Sequence, residues 1–211
     1  MYVSTRPRVV ALVEELSEEE AARPVPGTPR WSIKDLVCHL TGLVGDFATG
    51  NLDGAGSEAW TARHVEERKD KSLREVLAEW SEKAPAFEEA MPGLGARSRA
   101  PAFDIVVHEH DIRGALQISN PGDAGTVDAV LQAVIGGLGH RFTADEVPAL
   151  RIEAGSSEWV VGPGEPAATV RTEPFELFRA LFGRRSAAQV RAWKWDGDPT
   201  PYLAHLNVFG P

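Results

Sequence analysis

The chain of 211 residues carries a formal net charge of -9, a pI near 5.2 and 43% hydrophobic residues. That length and apolar fraction suffice for one large domain, or for an ordinary domain with a small companion. The acidic balance argues against a phosphate-tracking nucleic-acid binder and against an anionic membrane surface, and the single cysteine, Cys38, excludes an intrachain disulfide or a cysteine-based zinc cluster.

The first stretch, MYVSTRPRVVALVEELSEEE, has no long apolar segment and no cleavage-site pattern, so a cytoplasmic, soluble protein is expected. Val9, Val10, Leu12, Val13 and Leu16 recur at helical spacing and predict one helix over residues 5 to 22, with Pro7 in its first turn and the acidic run as a solvated face. RPVPGTPR then reads as a connector. Ser32 and Asp35 look like a capping box, opening a helix whose stripe is Ile33, Leu36, Val37, Leu40, Leu43, Val44 and Phe47. His39 lies at the edge of that stripe. After the Gly-rich TGNLDGAGS, a charged stretch over 58 to 91 carries Val76, Leu77, Trp80, Ala84 and Phe87 as an amphipathic helix.

PGLGARSRAP marks a break, and the next helix starts near Pro101 and stops before the turn signal Ser119-Asn120-Pro121-Gly122. A helix over about 124 to 141 follows, with Val127, Val130, Leu131, Val134, Ile135 and Leu138 inward. These principal amphipathic helices with short and medium connections predict an antiparallel bundle. Beyond Pro148 the period changes: ALRIEAG, SEWVVG and AATVRT read as short strands, Glu173 to Gly183 as a helix, and the alternation in VRAWKW as a further strand. The expected fold is α+β, with a helical domain over 1-145 and a small α/β domain over 146-211.

Asp104 and His108 are spaced so that one helix turn puts both side chains on the same face. Their helix is apolar on most other sides, so it reads as buried with a polar stripe that needs partners. Such a couple can be a hydrogen-bonded structural pair, its commoner role, or two ligands of a divalent metal. With His39 from another helix it makes a two-histidine, one-carboxylate set, which would leave positions open for water, thiolate or substrate. His39 alone is more often a partly buried, satisfied histidine. His110 falls on another side of the helix and reads as a surface or packing residue, and His64 in TARHVEER reads as solvent-exposed. His140 and His205 have no spaced ligand partner. Cys38 reads as a small buried hydrophobe. Trp60 borders the Gly-rich loop and is a candidate substrate wall. Arg184 and Arg185 read as charges at a helix C-terminus, with a secondary role for either, or for Arg191, in binding a substrate carboxylate.

The segments WSIKDLVCHL, DIVVHEHDIRGAL and EPFELFRALFGRRS, the last followed by WDGDP, occur in this order across nearly the whole chain. In that arrangement the sequence resembles the mycothiol-dependent maleylpyruvate isomerase family, within the wider DinB-like metalloenzymes. The resemblance implies an N-terminal antiparallel four-helix bundle and a metal, zinc first with nickel or iron as alternatives, held by His39, Asp104 and His108. It also implies mycothiol, the small thiol of actinobacteria, as cosubstrate; arginine outnumbers lysine here, a bias shared by GC-rich genomes such as theirs. Asp104 departs from the family pattern, which has glutamate; the shorter side chain requires a closer helix or a bridging water. Asp111, one turn on, is then a supporting residue behind the ligands or a substitute ligand.

The implied activity is that of an isomerase or thiol S-transferase acting on a small electrophile, as monomer or homodimer. The alternatives are a non-catalytic binder of a small molecule or lipid, and a thiol-independent metal hydrolase.

Overall fold

The computed structural model describes residues 1–118 and 123–207; the turn expected at 119–122 lies outside them. Two compact units divide the chain, 1–120 and 121–211.

The first unit holds α1 (Tyr2–Val13), α2 (Glu18–Ala21), β1 (Pro24–Val25), β2 (Thr28–Ser32), α3 (Ile33–Thr49), α4 (Glu58–Glu66), α5 (Leu73–Ala90), a 3-10 segment at Met91–Ser98, and α6 (Arg99–Ala115). The single helix expected over 5 to 22 is two, because Ser17 caps a new start. Its hydroxyl accepts from the Glu20 amide while the Glu20 carboxylate accepts from the Ser17 amide. Ser72 and Glu75 repeat the device and split the helix expected over 58 to 91. The RPVPGTPR connector is an antiparallel hairpin with Val25 opposite Thr28, which delivers Trp31 and the Ser32 cap to the start of α3. The Ser32–Asp35 capping box forms as the sequence suggests, and α3 closes on Gly50 at φ 73°.

Within this unit α3 packs on α4, α5 and α6, and α1 packs on α5 and α6. Val9 and Val13 of α1, Leu36, Leu40 and Val44 of α3, Val76 and Trp80 of α5, and Ile105 and Ile112 of α6 are buried, each side chain contributing about 1.5–3 kcal/mol. Two polar pairs inside tie helices together: the Trp80 indole N–H donates to the Tyr2 hydroxyl at 3.0 Å, and the Arg8 guanidinium of α1 donates to Glu109 of α6 at 2.7 Å. α6 is buried continuously from Ile105 to Ile112.

The second unit contains α7 (Ala124–Ala144), β3 (Leu150–Ala154), β4 (Ser157–Val161), β5 (Ala168–Thr172), α8 (Pro174–Leu181), α9 (Ala187–Arg191) and β6 (Lys194–Asp196). Its sheet has the order β4-β3-β5-β6, with β3 parallel to β5 and the other pairs antiparallel. α7 packs on α8 and β4, so the contacts divide the chain at 120/121 and not at the expected 145/146. An apolar stripe shows that a helix needs a cover, not which neighbour supplies it. The strand expected at VRAWKW begins instead inside α9, started by a Ser186–Gln189 capping box, and only Lys194–Asp196 forms a strand, paired with β5. The architecture is thus mixed helix and sheet, and no helix among the described residues is long and apolar enough to cross a membrane.

Candidate metal centre

All three histidine and aspartate candidates lie in the first unit, on α3 and α6. The contact between these helices brings His39 Nε2 to 2.9 Å from Asp104 Oδ2 and leaves His108 Nε2 3.4 Å from Asp104 Oδ1. One potential ligand atom from each residue falls within 4.8 Å of the other two. Donors bound at about 2.0–2.1 Å to one tetrahedral ion stand roughly 3.3–3.4 Å apart, so the spacing suits a shared cation. Aspartate in place of the glutamate that the resemblance leads one to expect does not hold the carboxylate away, since Asp104 lies 2.9 Å from His39 Nε2 and 3.4 Å from His108 Nε2. The imidazoles are 4% and 6% exposed while Asp104 is 32% exposed; the cluster therefore opens to solvent on the carboxylate side.

Each imidazole is held from behind. His108 Nδ1 lies 3.0 Å from Asp111 Oδ2, and a carboxylate only accepts, so Nδ1 carries the hydrogen and Nε2 faces the cluster. Asp111 thereby sits on the ring nitrogen opposite the one that faces Asp104. His39 Nδ1 lies 3.1 Å from His64 Nδ1, and His64 Nε2 is 2.9 Å from Asp46 Oδ2.

Electrostatics favour positive charge here. Burial works against a charged His108, but the Asp104 carboxylate and then Asp111 outweigh it and push its pKa up to about 9. Burial likewise opposes ionised Asp104, yet His108 and His39 hold its carboxyl well below the usual range. Two imidazoles and a carboxylate that stabilise a cation between them, with their outer nitrogens engaged, fit a divalent metal.

His64 is fully buried, and its exposed reading is corrected: burial lowers its pKa against the pull of the Asp46 hydrogen bond. The residue that hides it is Gly42 on α3, where a Cβ would stand 2.4 Å from His64 Cγ. Trp31, whose ring centre is 5.3 Å from that of His39 and 6.3 Å from that of His108, borders the cluster as well. Trp60 is buried, 6.0 Å from His39 and edge-on to His64 at 4.2 Å, so it backs the histidines. His110 is buried and Cys38 is too, with burial pushing the thiol up to about 11. Arg184, Arg185 and Arg191 belong to the second unit. Arg185 is engaged with both Glu176 oxygens at 2.6 and 2.7 Å, Arg184 donates to the Phe182 carbonyl, and Arg191 is exposed at the end of α9.

A helical unit with a two-histidine, one-carboxylate cluster on two packed helices, followed by a small mixed sheet, defines the class. The profile of the mycothiol maleylpyruvate isomerase N-terminal domain matches residues 5–113, just over half of the chain and inclusive of His39, Asp104 and His108. The chain belongs to the mycothiol maleylpyruvate isomerase family. Its fold is similar to crystal structures of the mycothiol-dependent maleylpyruvate isomerase. A histidine-to-alanine mutant gives a TM-score of 0.63 at 10% identity, with 87% of each chain covered. A second structure of that isomerase gives 0.55 at the same identity and coverage. No curated protein matches the sequence.

Proposed function

We propose that the protein is a metal-dependent, mycothiol-using enzyme, an isomerase or thiol S-transferase, acting on a small electrophilic substrate. The carrying observation is the convergence of His39, Asp104 and His108 within 4.8 Å in a chain of this family. A divalent ion there, zinc or else nickel or iron, supplies a Lewis acid that favours the thiolate, the reactive form of a thiol. His39 and His108 present Nε2 to that ion and Asp104 completes the set. The partial exposure of Asp104 marks the side from which thiol and substrate enter, and Trp31 supplies an apolar wall beside it. The mutual packing of α1, α3, α5 and α6 supports a four-helix, DinB-like reading of the first unit.

Metal analysis paired with thermal shift tests this reading. Wild type is expected to hold about one divalent ion per chain and to gain stability from mycothiol only when metal is present. His39→Ala should lose both. Wild-type protein that is free of metal after purification and reconstitution, or a thiol response unchanged in the variant, would sink the assignment.

A further inference from the structure

We propose that His64, anchored on Asp46, is a positioning residue that holds a hydrogen on His39 Nδ1 and so presents Nε2 to an ion shared with Asp104 and His108. The inference rests on the metal-centre reading. His64 Nε2 lies 2.9 Å from Asp46 Oδ2; because a carboxylate only accepts, Nε2 is the donor. In the neutral ring Nδ1 is then an acceptor, and His39 Nδ1, 3.1 Å away, must donate to it. With that hydrogen held on Nδ1, Nε2 is the nitrogen left to face Asp104 at 2.9 Å; because the carboxylate only accepts, Nε2 donates to it until an ion takes the place of that hydrogen and is bound by the Nε2 lone pair. Asp46 is itself fixed as an acceptor: Arg63 donates to Oδ2, and the Asn51 amide donates to Oδ1 at 3.2 Å.

The backbone is arranged for this relay. His39, Gly42 and Asp46 stand at i, i+3 and i+7 on α3, one face of the helix, and offer in successive turns a ring, a gap and a carboxylate. α4 inserts His64 into the gap. A Cβ at position 42 would meet His64 Cβ, Cγ and Cδ2 at 2.4–2.6 Å, so the ring occupies space that only glycine leaves. An aromatic side chain serving packing alone would need neither the acceptor facing His39 nor the buried carboxylate behind it.

Zinc affinity, measured by competition with a chromophoric chelator, separates the roles. In His64→Gln the side-chain carbonyl can accept from His39 while the amide donates to Asp46. In His64→Leu the volume is filled without an acceptor. The glutamine variant is expected to bind zinc within about threefold of wild type, and the leucine variant about 10–100-fold more weakly, the usual effect of losing a partner behind a ligand. Asp46→Asn, whose amide can turn an N–H toward His64 and reverse its tautomer, should show the same loss with the ring still in place, and it serves if the leucine variant does not fold. Nitrogen-15 NMR of zinc-loaded wild type should show His64 protonated on Nε2 only. Equal weakening by glutamine and leucine, unchanged affinity in leucine and asparagine variants, or protonation of His64 on Nδ1 would overturn the relay alone. Wild type that takes up no zinc would overturn the metal centre and the relay with it.

Discussion

Asp104 is the one member of the cluster that faces both neighbours and solvent. Its carboxylate contacts two imidazole nitrogens, and its partial exposure gives a longer side chain room to fold back. We therefore expect Asp104→Glu to retain zinc within about tenfold, and Asp104→Asn, which removes the charge, to weaken it by about a hundredfold or more. Equilibrium competition with a chelator checks both, and an asparagine variant of wild-type affinity would show that Asp104 is no ligand. The Asp104–His108 couple is legible in the sequence because one helix fixes its geometry by spacing alone. His39 enters through its family-like motif, since nothing local to α3 says which helix it will meet. His64 was hidden: TARHVEER has the charge pattern of a solvated turn, and what buries its histidine is the missing side chain at Gly42, across a contact no local pattern encodes.

At the scale of elements, starts were more legible than lengths. Ser-x-x-Glu at 17–20 and at 72–75 is the same signal as the Ser32–Asp35 box, but a continuous apolar period on either side masks the break it makes. The segment between α4 and α5 is tied down by Glu79 of α5, which accepts from Arg68 at 2.6 Å, Lys71 at 2.8 Å and Lys83 at 2.6 Å. Burial would raise its pKa; the three cations more than offset this and lower it from 4.5 to about 2. A depressed carboxylate contributes stability that is fully present above pH 4.5 and is lost as pH falls through about 2. The full shift corresponds to about 3 kcal/mol, and with both lysines more than a third exposed a value of about 1–2 kcal/mol is expected after screening. Glu79→Gln should be less stable than wild type by that amount at pH 7 in urea denaturation, the gap closing as pH falls from 4.5 toward 2. A gap of constant size across that range would assign the loss to packing.

For the whole molecule, the division at 120/121 puts every residue of the cluster and its supports, from Trp31 to Asp111, in one unit. The boundary was the least legible feature. The stripe of α7 repeats the period of the bundle helices, and only its packing on α8 and β4 assigns it to the sheet. This division predicts where a bound ion acts. On the proposed metal centre, zinc would bind the native cluster and not the unfolded chain, so at a hundredfold excess over its dissociation constant it would stabilise the structure it binds by about 2.7 kcal/mol. Local opening free energies differ between cooperative units, and that gain should therefore be confined. Hydrogen exchange read by mass spectrometry, with and without zinc, is expected to show slower exchange in peptides from α3, α4 and α6, and no change in those from β3, β4 and β5. A matching slowdown in the sheet would contradict this, because it would require the two units to open as one.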